Sequence, residues 1–292
     1  MTNKSKAVLS IVVGSLLAGG TTTATKLGLI AIPPFSFSFL RFFIASLVIL
    51  PFFIKAKTKI DKDFILLVAA SLLPAINIFF FILGIQTTTA TIGQLLYSGV
   101  PILTALFTFI LLSEKTSVQK LLSILLGFGA TAYIVLLPLF EKGSLFSGNI
   151  VGNALLSLGV FVYSLYLVLS KPFQKHYSPF VITAVFIFLT TFIFFLLSIF
   201  ELRTSPFWWS RLDTTSVLAI LYVGVPATIG GYVLNQYAIK FGGPVVASLS
   251  LYLLPIFAYM NASIFLGERL TPGLVAGALV VFISVALTTY TK

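Results

Sequence analysis

The sequence predicts an all-α integral membrane protein, with ten transmembrane helices arranged as two inverted five-helix repeats. Three observations carry that prediction. Ten apolar stretches of roughly 20 residues follow one another, each long enough to cross the ~30 Å hydrocarbon core of a bilayer as one helix. Almost every charge falls in the short gaps between them. The two halves resemble each other, and each holds an odd number of stretches.

Composition excludes the soluble classes. The chain is 59% hydrophobic and only 9% charged, against about 25% charged residues in a soluble domain. A net charge of +11 in a soluble protein would suggest nucleic acid, but here the lysines are scattered through short loops and read as membrane topology. The absence of cysteine removes disulfides, thiol nucleophiles and thiolate metal sites.

The spans are expected at 7–31, 35–54, 64–84, 92–112, 118–139, 150–170, 179–200, 214–238, 244–266 and 272–291. The first follows Lys4 and Lys6 and superficially resembles a signal peptide. It lacks a clean small-x-small cleavage site and reads on into a full span. The second follows Pro34, carries Arg41 and ends just before the lysine cluster 55–62. The third carries Pro74 and Asn77, the fourth Gln94, Tyr97, Ser98 and Pro101 before Glu114. The fifth is apolar. Tyr163, Tyr166 and Ser170 mark the sixth, which ends at Lys171, and Pro179 opens the seventh. The eighth holds Pro226, Gly230, Gly231, Tyr232, Asn235 and Gln236, and the ninth Ser248, Tyr252, Pro255 and Tyr259. In the tenth, Gly273 and Gly277 form a small-xxx-small packing pair.

Positive charge sets the orientation. With the N-terminus in the cytoplasm, twelve lysines, from Lys4 through Lys292, fall inside, whereas Lys26, Lys142, Arg203, Arg211 and Arg269 fall outside. Both termini are therefore expected in the cytoplasm, in a multi-pass protein of the cell membrane. Trp208 and Trp209 fall in an outer loop, where indoles anchor at the interface.

The repeat is read at a spacing of 154, which pairs Pro101 with Pro255, Leu112 with Leu266 and Glu114 with Glu268. A spacing of 145 pairs Lys26 with Lys171 and Pro34 with Pro179. The halves divide at 1–145 and 146–292. Five helices each forces equivalent helices to cross in opposite directions, as in secondary transporters with a midplane site.

Helical spacing locates the polar faces. Gln94, Tyr97, Ser98 and Pro101 share one face of span 4, and Ser248, Tyr252, Pro255 and Tyr259 the matching face of span 9. Ala18, Thr21 and Thr25 pair with Tyr163, Tyr166 and Ser170 in spans 1 and 6. Amides and hydroxyls are costly against lipid, so these faces point inward. Single Ser and Thr residues read as helix-packing groups, and the clustered amides and tyrosines as a cavity. The substrate-facing set is thus Asn77, Gln94, Tyr97, Ser98, Tyr163, Tyr166, Tyr232, Asn235, Gln236, Ser248 and Tyr252. Pro74, Pro101, Pro226 and Pro255 each remove a backbone donor inside a candidate cavity helix and mark hinges or gates.

None of the seven acidic residues lies inside a span, so an intramembrane carboxylate relay is missing. That favours a neutral or zwitterionic solute over a strongly cationic one. Lys26 and Arg41 are the charged candidates for a substrate carboxylate, with snorkelling to the headgroups as the other reading. His176 reads as a solvated loop residue. No metal-ligand cluster, phosphate loop or nucleophile triad is visible, and no cofactor is expected.

Several segments resemble the drug/metabolite transporter superfamily, in its EamA-like branch. They are Gly19 to Lys26, Pro34 to Arg41 with Ala45, Pro101 with Leu112-Ser113-Glu114-Lys115, and Pro255 with Leu266-Gly267-Glu268-Arg269-Leu270-Thr271-Pro272. Ala18 departs from the family pattern, which often has Trp there. The resemblance implies a central cavity lined mainly by spans 1, 3, 4, 6, 8 and 9, and export or facilitated passage of small metabolites, often amino acids. Other metabolite classes or drug-like compounds are the alternative, and a membrane-embedded enzyme ranks below both. The expected partners are a small-molecule substrate and the bilayer, not nucleic acid. Oligomeric state is left open, a monomer included.

Overall fold

The computed structural model describes residues 2–112, 118–141, 146–252 and 254–290. Glu114, paired with Glu268 in the repeat, lies outside them, as does the side chain of Tyr252. We call the end of the bundle bearing Asn3 proximal and the opposite end distal.

Among the described residues, seven helices are long and apolar enough to cross a membrane, and three shorter apolar ones bring the total to ten segments. Five spans are interrupted near mid-length. Span 1 is α1 (Asn3–Ala18) and α2 (Thr21–Gly28), and span 3 is α4 (Lys62–Ala70) and α5 (Leu72–Thr87), with α3 (Pro34–Lys55) between them. Span 4 is α6 (Ala90–Tyr97) and α7 (Val100–Leu112). Three continuous helices follow: α8 (Val118–Phe140), α9 (Ile150–Ser170) and α10 (Pro179–Thr204). Span 8 joins α11 (Thr214–Tyr222) through a π-helical stretch, Val223–Gly230, to α12 (Gly231–Ser248). Gly243, at φ 85°, breaks α12 and starts span 9. That span continues through a 3-10 turn into α13 (Leu254–Leu266), and α14 (Pro272–Tyr290) closes the chain.

The breaks have identifiable causes. Pro74, Pro101 and Pro255 each lie in the first turn of the second half-helix, where their missing N–H ends the preceding ladder. Pro226 sits inside the π stretch. Span 1 breaks without proline, at Gly19–Gly20. There the Tyr222 hydroxyl enters the ladder, accepting from the Gly20 amide at 3.1 Å and donating to the Leu17 carbonyl at 2.9 Å. Neighbours leave no room for a Cβ at either glycine. At Gly19 it would lie 2.6 Å from Phe257 Cβ, and at Gly20 2.9 Å from the Tyr222 hydroxyl.

The packing shows the inverted repeat directly. α5 packs on α9 and α1 on α12, so span 3 meets span 6 and span 8 meets span 1. α3 packs on α10 and α8 on α14, pairing span 2 with span 7 and span 5 with span 10. Exchanging each span with the one five later maps this set onto itself. Large apolar side chains such as Leu47, Phe52, Ile110, Phe192 and Ile264 cover the outside, where only lipid tails accept them. Spans 2 and 7 hold a dry aromatic seam, with Phe42 edge-on to Phe186 at 5.5 Å.

Candidate transport cavity

A cavity of about 120 Å³ lies in the middle of the bundle, room for several waters or one small solute. Thr22 and Gln94 bound it distally, and Ser10, Ala238 and Ser250 proximally. Its wall draws on all five interrupted spans, with Tyr163 from α9 and Arg41 from α3 added. Irregular backbone in a membrane protein is tolerated where it lines a cavity, which is where these breaks fall.

Not every polar group on the wall is available to a solute. Asn77 spends its amide protons inside the protein, donating to the Tyr97 hydroxyl and to the Gly159 carbonyl at 2.9 Å. It therefore orients Tyr97. Ser15 donates to the Ser250 carbonyl at 2.9 Å, stitching span 1 to span 9. Gln94 and Asn235 differ: among the described residues, neither side-chain amide has a protein hydrogen-bond partner, and both line the cavity. The rings of Tyr97, Tyr163 and Tyr232 form a connected wall, with centroids 6.3 and 6.4 Å apart along the series.

Arg41 is the charged member of the wall and is only 4% exposed. Its Nε donates to Thr228 Oγ1 at 2.7 Å, and the guanidinium stands 4.9 Å from the centroid of the Phe42 ring. Thr228 is itself oriented by the π stretch, because its hydroxyl donates to the Val223 carbonyl five residues earlier at 2.6 Å.

Of the candidate substrate-facing residues, Asn77, Gln94, Tyr97, Tyr163, Tyr232 and Asn235 are brought together here, with Arg41. Ser98, Tyr166, Gln236 and Ser248 are buried away from the wall. Gln236 donates to the Tyr166 hydroxyl at 2.9 Å and accepts from Gln174 at 2.6 Å, a lock between spans 6 and 8 below the cavity. Ser98 and Ser248 return their hydroxyls to carbonyls of their own helices. Lys26 stands at the distal end and caps the α5 terminus instead of facing the cavity. Pro226 and Pro255 lie beside the wall residues Ala227 and Leu254. Sequence reasoning did not single out Ser10, Ser15, Thr22, Phe81 or Ser250. Isolated Ser and Thr residues on a helix carry no mark of which neighbour they face.

No group of three or more His, Asp or Glu side chains able to hold a metal occurs among the described residues. His176 lies in the proximal loop, 3.8 Å from Asp63 and largely exposed.

Broken helices, an apolar exterior and a central cavity with polar groups on its wall define a multi-pass membrane protein built around a solute-sized space. The chain belongs to the EamA-like transporter family, whose profile matches residues 5–136 and again 150–290. It is 29% identical to YetK, an uncharacterized transporter of Bacillus subtilis, over 90% of this chain and 80% of that one. An uncharacterized transporter of Archaeoglobus fulgidus is 25% identical over 98% of both chains. A WAT1-related protein of Arabidopsis thaliana is 28% identical over 68% of this chain and 61% of its own length. One solved crystal structure shares the fold at a TM-score of 0.68, with 20% identity, covering 98% of this chain and 96% of the other.

Proposed function

We propose that this protein is a secondary carrier that moves small neutral or zwitterionic metabolites, amino acids foremost, across the cytoplasmic membrane by alternating access. The two halves, 1–145 and 146–292, rock about the central cavity. The proximal end faces the cytoplasm, a reading the lysine distribution supports, and transport runs outward or down the prevailing gradient. The observation that carries the reading is the coincidence of all five interrupted spans with the wall of one central cavity, where Gln94 and Asn235 keep unspent amides. Half-helices joined by short flexible breaks can tilt without unravelling whole spans, and Pro74, Pro101, Pro226 and Pro255 stand at those joints. The acids lie at span ends and in loops, which supports a facilitator over proton coupling.

Counterflow in proteoliposomes with a panel of labelled amino acids, with and without a pH gradient, tests this. Saturable exchange indifferent to the gradient is expected. Accumulation driven by protons sinks the facilitator reading. Absence of flux for every amino acid in vesicles of folded protein sinks the amino-acid assignment.

A further inference from the structure

Resting on the carrier reading above, we propose that Arg41 is the anchor for a substrate carboxylate, so that the carried solutes are small carboxylates whose carboxyl group is obligatory and whose amino group is dispensable. Arg41 lies seven residues into α3, about 10 Å below the distal end of that helix at 1.5 Å per residue. A guanidinium does not lose its proton at any relevant pH, so its charge persists at this depth. Among the described residues it forms no ion pair, and the seven acids of the chain all lie at span ends or in loops. Its side-chain contacts are a threonine hydroxyl and a phenylalanine ring, and it shares the cavity wall with Tyr232. These orient the group without neutralising it. A charge left unpaired inside a membrane protein and turned to a cavity marks the place where a counter-charge arrives.

The site is built to present the fork. Thr228 accepts from Nε and its own proton is committed to Val223, and among the described residues no protein hydrogen bond takes the two terminal nitrogens. Those nitrogens carry the paired N–H groups that match a carboxylate bidentately. Gly224 brings the π stretch against α3 here, since a Cβ at that position would stand 3.1 Å from the Arg41 carbonyl. Nothing on the wall plays the opposite part. An ammonium meets neutral groups there, among them the Gln94 and Asn235 amides, the Thr22 hydroxyl and the faces of Tyr97, Tyr163 and Tyr232. Such groups accept an ammonium, and equally a hydroxyl or a methyl group.

The test is ligand-induced thermal stabilisation of the purified full-length protein, run with sets of near-isosteric compounds. Each set is a 2-amino acid, the 2-hydroxy acid and the neutral 2-hydroxy amide, with methyl, isopropyl or benzyl side chains, alongside inorganic phosphate and sulfate. The amino and hydroxy acids of at least one set are expected to bind within a few-fold of each other, and the amide about ten-fold or more weaker. Arg41→Gln is expected to erase the preference for acid over amide, and Arg41→Lys to retain part of it. A purely structural role for Arg41 shifts the unfolding temperature of each variant without changing that preference. Amides binding as well as acids, a preference that survives Arg41→Gln, phosphate or sulfate binding where no carboxylate does, or no binding by any compound overturns the proposal. Where neither variant folds, the wild-type comparison of acid with amide still decides. Counterflow separates the two claims: exchange of hydroxy acids but not amino acids keeps the anchor and removes the amino-acid reading, and equal exchange of acids and amides does the reverse.

Discussion

Lys26 and Glu268 hold the two sides of one turn. The Lys26 ammonium donates to the carbonyls of Ile85, at 3.2 Å, and Thr88, where α5 ends. The Glu268 carboxylate accepts the amides of Ala90 at 2.7 Å and Thr91 at 2.9 Å, where α6 begins. Each charge has the sign that the adjoining helix end favours. Their carriers are spans 1 and 9, whereas the turn belongs to spans 3 and 4, so the clamp closes the distal end across four cavity helices. Under the repeat, the Lys26 position becomes Lys171 and Thr89 becomes Gly243 on the proximal side. Lys171 is exposed there, 3.6 Å from where a Gly243 Cβ would stand, and among the described residues its ammonium makes no hydrogen bond. In this conformation the distal lysine is engaged and its proximal counterpart is not.

The first prediction concerns that clamp. Glu268→Gln keeps the shape but loses the charge, and is expected to destabilise the fold by about 1–3 kcal/mol. Its functional signature is access. The chain has no native cysteine, so Thr22→Cys places a single thiol at the distal edge of the cavity. A membrane-impermeant thiol reagent added outside the cell should label it several-fold faster in the Glu268→Gln background. Equal rates would mean that the clamp stabilises the helices without closing that side.

The second concerns Asn77 and Tyr97. Asn77→Ala leaves the buried Gly159 carbonyl and the Tyr97 hydroxyl without their donor, a cost of about 1–3 kcal/mol. Tyr97→Phe removes the acceptor alone and should cost less. The double mutant is expected to fall short of the sum by at least about 0.5 kcal/mol, since the two share one bond. Additive unfolding energies refute the view that Asn77 works through Tyr97.

The third sets two glycines against each other. Gly19→Ala drives a Cβ to 2.6 Å from Phe257 Cβ, an atom fixed to the α13 backbone. Spans 1 and 9 must then separate, at a cost of about 1–3 kcal/mol. Gly129 sits in α8 with nothing within 4 Å of its would-be Cβ, so Gly129→Ala should gain up to about 1 kcal/mol from helix propensity. A Gly19→Ala protein as stable as wild type would remove the steric account of the span 1 break.

These cases show what the sequence discloses and what it withholds. Ten spans were legible because hydrocarbon thickness imposes a length, and charges mark the ends. Breaks at Pro74, Pro101, Pro226 and Pro255 were legible because proline removes a ladder donor. The Gly19–Gly20 break was not, since the Tyr222 hydroxyl that enters it and the Phe257 side chain packed on it lie more than 200 residues away. Within span 8, Asn235 and Gln236 look equivalent in sequence, yet one lines the cavity and the other locks onto Tyr166. Adjacent residues point about 100° apart on a helix, and composition does not say which direction is inward when both sides are protein. Arg41 was visible as a charge in a span, but its turn toward the cavity follows from Thr228 and the π stretch.

The fourth prediction is a pH dependence at the proximal loops. The Tyr177 hydroxyl donates to Asp61 Oδ1 at 2.7 Å, tying the loop after span 6 to the start of α4, where the same oxygen accepts the Phe64 amide at 2.9 Å. The Tyr177 hydrogen bond, followed by that amide, holds the Asp61 carboxyl below its ordinary value of 3.8. Burial, reinforced by Asp61, pushes Tyr177 up from 10.0 to about 12. The signs follow by linkage. Asp61, depressed in the fold, contributes stability above its ordinary value and loses it as pH falls through the lower folded value. Tyr177, raised in the fold, contributes below 10.0 and loses it as pH climbs from there to about 12. The tie is therefore whole between roughly pH 4 and 10. Tyr177→Phe should lower the unfolding temperature within that window and flatten the alkaline limb of the profile. An unchanged alkaline limb in Tyr177→Phe would place the titrating group elsewhere.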